Sequence, residues 1–151
     1  MSKVTPFLMF NGRLEEAVKF YSSVFTDAKV ESVSAQSAMF ELGGQRFMAF
    51  DGGDHFSFSD GISLYIDCAD QKEVDYFWEK LSSNGGEEGR CGWLKDAFGV
   101  SWQVVPTALS ECLGGEDKAG AGRAMEAMIK MNKLDVDELK KAYEGKKSSL
   151  A

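Results

Sequence analysis

Apolar and polar positions follow one another in two similar blocks along this chain. Residues 4–10 (VTPFLMF) are an apolar run of strand length, and Pro6, which has no N–H, suits a strand start or edge. Asn11-Gly12 ends the run, and Asn11 is placed to cap the next element. Leu14, Ala17, Val18, Tyr21, Val24 and Phe25 then recur at helical spacing, with Arg13, Glu15, Glu16 and Lys19 opposite. That spacing predicts an amphipathic helix over roughly 12–25. Three strand candidates follow: 29–35, with Val30 and Val33 weakly patterned, then 38–42 (AMFEL) and 45–51 (QRFMAFD). Gly43-Gly44 is a two-residue hairpin signal, and Gly52-Gly53 closes the block. The order is β-α-β-β-β.

Residues 54–61 (DHFSFSDG) read as a loop, in which Phe56 and Phe58 are expected to fold back over something apolar. The order then repeats. Residues 62–67 (ISLYID) alternate as a strand, Asp70-x-x-Glu73 is a capping box, and Val74, Phe77, Trp78 and Leu81 form the stripe of a second helix ended by Asn84-Gly85-Gly86. Strands are predicted at 87–91, 93–95 and 100–105. Asp96-Ala97-Phe98-Gly99 supplies the turn between the last two, because Asp bonds nearby backbone and Gly accepts positive φ. Alternation on the last strand puts Trp102 and Val104 on one face, with Ser101, Gln103 and Val105 on the other.

The tail departs from the pattern. Residues 106–113 form a short helical piece, and Ala121, Met125, Met128 and Ile129 mark a further helix expected to pack on the sheet or on a partner subunit. Asp135-x-x-Glu138 opens a last helix carrying Val136, Leu139 and Tyr143, and the chain from Lys146 on is polar. The fold class expected is α+β: two βαβββ modules (about 1–53 and 62–106, together 1–106) forming a half-barrel cavity, with a C-terminal helical extension (107–151), as a single structural domain.

Composition narrows the function classes. The 151 residues suffice for a real core, and 44% hydrophobic with 27% charged residues is ordinary for a globular protein. A net charge of -7 argues against a nucleic-acid or anionic-membrane partner, both of which need a basic surface. No apolar run approaches the ~20 residues of a membrane span. Three cysteines without C-x-x-C spacing, and no secretory signal before Val4, point to a cytoplasmic protein with reduced, buried thiols. The chain has one histidine, His55.

Three segments carry a resemblance: residues 5–25 (TPFLMFNGRLEEAVKFYSSVF), 52–56 (GGDHF) and 91–106 (CGWLKDAFGVSWQVVP). They resemble the PhnB-like branch of the vicinal-oxygen-chelate superfamily, which holds glyoxalase, bleomycin-resistance proteins and extradiol dioxygenases. Some members of the branch carry a demethylubiquinone methyltransferase label. The chain shows no glycine-rich strand–helix turn of the nucleotide-binding type. The resemblance implies two half-barrels around a cavity, with a divalent metal in the enzymes held by His and Glu on inner strand faces. Carried over one at a time, the ligand positions fall near Thr5 or Pro6, at Ala49, near Ile62 or Ser63, and at Gln103. The usual ligands are absent, so no cofactor is predicted, and a divalent metal stays open only at relocated positions. The resemblance also implies a homodimer.

Within such a cavity the ligand-binding candidates are Phe7, Met9, Phe47, Ala49, His55, Ser63, Tyr65, Trp93 and Gln103. Gln103 either orients a ligand through its amide or bonds to neighbouring side chains or water. His55 is either a base at the cavity mouth or a loop histidine satisfied by backbone. Trp102 is expected to pack under a helix, and Asp67 and Asp70 to act as caps and solvated charge. Three function classes remain open. The first is metal-independent binding of a small apolar or aromatic molecule. The second is a metal-dependent or His-assisted lyase, isomerase or dioxygenase-type enzyme, using a relocated metal or His55, in which His55 converges with carboxylates such as Asp51, Asp54 or Glu41. The third is an interaction module with a self-filled cavity.

Overall fold

Residues 2–150 are described by a computed structural model. The chain divides into two compact units between Ser59 and Asp60. The first contains β1 (Phe7–Phe10), α1 (Leu14–Val24), β2 (Lys29–Val33), β3 (Ser37–Leu42) and β4 (Gln45–Asp51). Its sheet has the order β1-β4-β3-β2, with β1 parallel to β4 and the other pairs antiparallel. The second contains β5 (Leu64–Cys68), α2 (Gln71–Leu81), β6 (Glu87–Glu88), β7 (Trp93–Lys95) and β8 (Ser101–Pro106). Its sheet repeats the order as β5-β8-β7-β6, again with one parallel pair, β5–β8. The α+β class and the doubled βαβββ order are as the sequence predicts. Neither sheet closes into a barrel.

In the first unit α1 buries Leu14, Ala17, Val18, Tyr21 and Val24, the apolar stripe read from its spacing. Tyr21 stacks on Phe40 at 6.3 Å and Phe40 on its cross-strand partner Phe47 at 5.4 Å. Gly43 and Gly44 turn the β3–β4 hairpin at φ 55 and 83, which the primed turns require. Asn11 does not cap α1. The N-cap is Arg13, at φ 61 and without a side-chain cap bond, and its guanidinium reaches Glu16 instead. The Asp51 carboxylate holds this corner, accepting from the N–H groups of Gly12 at 2.9 Å and Gly53 at 3.0 Å. In the following loop Phe58 packs edge-on against Phe10, as expected, whereas Phe56 is half exposed beside Gly52.

In the second unit α2 buries Val74, Trp78 and Leu81, and Asp70 caps it by accepting from the Glu73 N–H at 2.9 Å. The extension is α3 (Thr107–Leu113), α4 (Lys118–Met128) and α5 (Val136–Glu144). Its core joins Val105 of β8 to Leu109, Leu134 and Leu139. Gln71 ties it to α2, donating to the Leu134 carbonyl and accepting from the Val136 N–H. The stripe of α4 is divided: Met128 packs against this core, Met125 and Ile129 are exposed, and the buried residues are Gly120 and Ala124. The reason is close packing against α5, since a Cβ on Gly120 would lie 2.6 Å from the Tyr143 carbonyl oxygen. Asp135 caps α5, but Glu138 does not bond back to it. Its carboxylate accepts from Ser148 and Ser149, which hold its pKa below the usual glutamate value.

The β7–β8 turn is organised by Asp96, which is 3% exposed. One carboxylate oxygen accepts from the N–H groups of Phe98 and Val100 at 2.9 and 3.0 Å, and the other from the Trp102 indole at 2.8 Å. Charge-assisted bonds of this kind are the strong ones, and a buried donor left without its acceptor is costly. Asp96→Ala therefore lowers unfolding free energy by about 3 kcal/mol in a urea titration. Asp96→Asn loses less, because its amide oxygen keeps an acceptor for the turn, and what it does lose comes from the NH2 group that then faces the indole N–H, donor against donor. Equal stability of Asp96→Ala and the parent chain contradicts this assignment.

Candidate ligand-binding face

Alternation decides which side chains each sheet presents. On β8, Trp102 and Val104 are buried at 2% and 0% exposure against α2, so Ser101 and Gln103 point the other way. The ladders then set three residues side by side across the second sheet: Tyr65 of β5, Gln103 of β8 and Trp93 of β7. Tyr65 is exposed, while Trp93 and Gln103 are half-buried. Ser63, just before β5, accepts from the Gln103 amide nitrogen at 2.9 Å. With that nitrogen engaged, the Gln103 carbonyl oxygen makes no hydrogen bond among the described residues. The face thus offers two aromatic rings and an oriented acceptor between them. Four of the predicted residues, Ser63, Tyr65, Trp93 and Gln103, lie together here.

The first sheet presents a face of its own. Phe7 pairs with Met48 and Met9 with Phe50, so these four side chains share one side of the sheet. Phe47 and Ala49, predicted to lie with Phe7 and Met9, are on the opposite side, 4% and 2% exposed, under α1. The correction has a simple cause: a strand repeats every two residues, and QRFMAFD carries apolar groups at both parities. Met48 and Phe50 were missed for the same reason; the stacked Tyr21–Phe40–Phe47 series is what separates the parities.

His55 ends a short 3-10 turn (Gly53–His55) and is exposed. Asp51 is occupied by the Gly12 and Gly53 amides, and Glu41 pairs with Lys29. Among the described residues no group of three or more His, Cys, Asp or Glu side chains is gathered to hold a metal. The four positions that the resemblance assigns to metal ligands hold Thr5 or Pro6, the buried Ala49, Ile62 or Ser63, and Gln103 already bonded to Ser63. Imidazole and carboxylate donors are missing from that set, and it does not fit a divalent transition metal. Asp67 accepts from Thr107 and Asp70 caps α2, so both have structural roles. No described helix is long and apolar enough to cross a membrane.

Comparison with known proteins places these features in a family. The model of the 3-demethylubiquinone-9 3-methyltransferase family matches residues 2–105. Among solved structures, a putative 3-demethylubiquinone-9 3-methyltransferase, PhnB protein, from Bacillus cereus is 34% identical. It matches over 70% of this chain and 100% of its own, with a TM-score of 0.65. The fosfomycin resistance protein FosX of Listeria monocytogenes, solved with Mn(II) and sulfate, is 15% identical over 76% of this chain and 97% of its own, with a TM-score of 0.57. A glyoxalase-related enzyme from Fulvimarina pelagi is 16% identical over 72% and 91%, with a TM-score of 0.55. The latter two show a shared fold. No curated protein matches.

The cysteines complete the survey of reactive groups. Cys68 is fully buried, and burial, reinforced by the Glu73 carboxylate, pushes its thiol up to about 12. Burial raises the Cys112 thiol as well. Nucleophilic attack needs the thiolate. In the folded protein at pH 8, Cys68 and Cys112 are therefore expected to escape alkylation by iodoacetamide, while all three cysteines react in denaturant. Mass spectrometry reads the labelled positions, and rapid native labelling of Cys68 overturns the assignment.

Proposed function

The chain belongs to the 3-demethylubiquinone-9 3-methyltransferase (PhnB-like) family and has the glyoxalase fold, and from that premise we propose that it binds a small apolar or aromatic molecule without a metal. The observation that carries the proposal is the Ser63–Gln103 pair. The amide is held by a neighbouring hydroxyl, its carbonyl is left open, and Tyr65 and Trp93 flank it. Pockets for small molecules combine apolar walls with a few oriented polar groups, and this face has both. A ligand hydroxyl or N–H donates to the Gln103 carbonyl while its body lies on the aromatic rings.

The reaction classes of relatives ask for groups in other places. A metal-assisted reaction of the kind the fold supports needs His and Glu at positions that here hold Ala49, Ser63 and Gln103. Methyl transfer, named in the family's title, has no counterpart in a glycine-rich nucleotide-binding turn. The β1–α1 connection is Asn11-Gly12-Arg13 and the β5–α2 connection is Ala69-Asp70.

Two measurements test the proposal. Dialysis against EDTA leaves the melting temperature unchanged; a fall of several degrees, restored by Zn, Ni or Mn, contradicts metal-free folding and binding. Titration with 2-phenylethanol, followed by tryptophan fluorescence, gives saturable binding that Gln103→Leu weakens by about tenfold. Unchanged affinity in Gln103→Leu assigns the amide to structure alone.

A further inference from the structure

A cleft of about 260 Å3 lies at the β6–β7–β8 side of the second sheet, wholly within the second unit. Its lining includes Asp60, Glu87, Glu88, Trp93, Lys95 and Ser101, and the carboxylates of Asp60 and Glu87 lie near the one ammonium of Lys95, while Glu88, of opposite parity on β6, turns to α2. Asp60 is paired with Lys95, and Glu88 accepts from the Trp78 indole. Glu87 is opposite Lys95 on the β6–β7 ladder, exposed, and in no salt bridge among the described residues.

Ser101 adds an independent observation. It is 4% exposed and lines the cleft, and its hydroxyl makes no hydrogen bond among the described residues. Buried hydroxyls ordinarily find partners. Its register with Lys95 directs it to the face that carries Gln103. A nearly buried serine whose hydroxyl has no partner among the described residues, lining a net-negative cleft with an aromatic wall, is an acceptor awaiting a donor.

We propose that this cleft is an ammonium subsite, taking the protonated primary amine of the small molecule whose apolar part lies on the Tyr65–Gln103–Trp93 row. For that apolar part the proposal rests on the binding function argued above. The Ser101 hydroxyl and Glu87 carboxylate accept ammonium N–H groups, and the Trp93 ring supplies a cation–π contact. Ser101 and Gln103 are two residues apart on one strand, about 7 Å, a span that a two-carbon linker between ring and amine covers. A metal ion is the poorer occupant, since Trp93 and Lys95 donate nothing to it and no cluster of ligands is gathered here.

The test is a pair of NMR titrations with phenethylammonium chloride and its neutral match 2-phenylethanol, following the Ser101 amide and the Gln103 side-chain amide. The amine is expected to bind about tenfold more tightly at low salt and to shift Ser101, with the preference shrinking as salt rises. Glu87→Gln and Ser101→Ala each reduce that preference and leave 2-phenylethanol binding in place. If both probes shift Gln103 with equal affinity and Ser101 does not respond, the ammonium subsite is overturned and the binding face stands. If the amine shifts Ser101 while neither probe shifts Gln103, the cleft stands and the Gln103 assignment falls. No response to either probe overturns both.

Discussion

The buried carboxylate of Asp96 is the constraint on which the second unit's face depends. It closes the β7–β8 turn through two backbone amides and pins the Trp102 indole with its other oxygen. Once Trp102 is fixed toward the helix side, strand alternation leaves Gln103 no choice of face. Gln103 then meets Ser63, and the ladders bring Tyr65 and Trp93 beside it. A turn residue thus sets the chemistry of a face it does not touch.

The first unit reaches a comparable arrangement by other means. Its parity is set by packing: Tyr21 of α1 stacks on Phe40, and Phe40 on Phe47, so the odd-numbered apolar residues of β4 go under the helix. What remains outside is Phe7, Met9, Met48 and Phe50. At its β1–β4 end the first face is apolar, with Glu41 and Arg46 farther along β3 and β4 engaged in ion pairs, whereas the second carries an amide, a hydroxyl and two polar-edged aromatics. The polar specificity proposed for this protein therefore lies in the second unit.

Much of this was legible in the sequence where one signal acted alone. The helical stripes, the Gly43-Gly44 hairpin, the Asp70 cap and the faces of β8 follow from spacing and turn chemistry. Misreadings fall where two signals compete. QRFMAFD has large apolar groups at both parities, so only the cross-strand stack decides that Phe47 and Ala49 are buried under α1. Asn11 is a good cap by type, but the Asp51 carboxylate takes the Gly12 amide and the helix begins two residues later. In α4 the methionines dominate the pattern, yet only Met128 of the two in the helix reaches the core, and Gly120 and Ala124 are the buried residues, with the α5 backbone close against Gly120. The Asp96–Trp102 bond joins residues whose separate roles were visible but whose meeting depends on the turn's three-dimensional path.

The central claim is that an amide–hydroxyl pair stands at positions where the resemblance implies metal ligands, and that the face around it holds an organic molecule. Native mass spectrometry of the freshly purified protein, with elemental analysis of the same sample, tests it most directly. The account predicts protein without stoichiometric transition metal, carrying a small organic adduct that dissociates from the Gln103→Leu variant. One tightly held Zn, Ni, Fe or Mn per chain contradicts it.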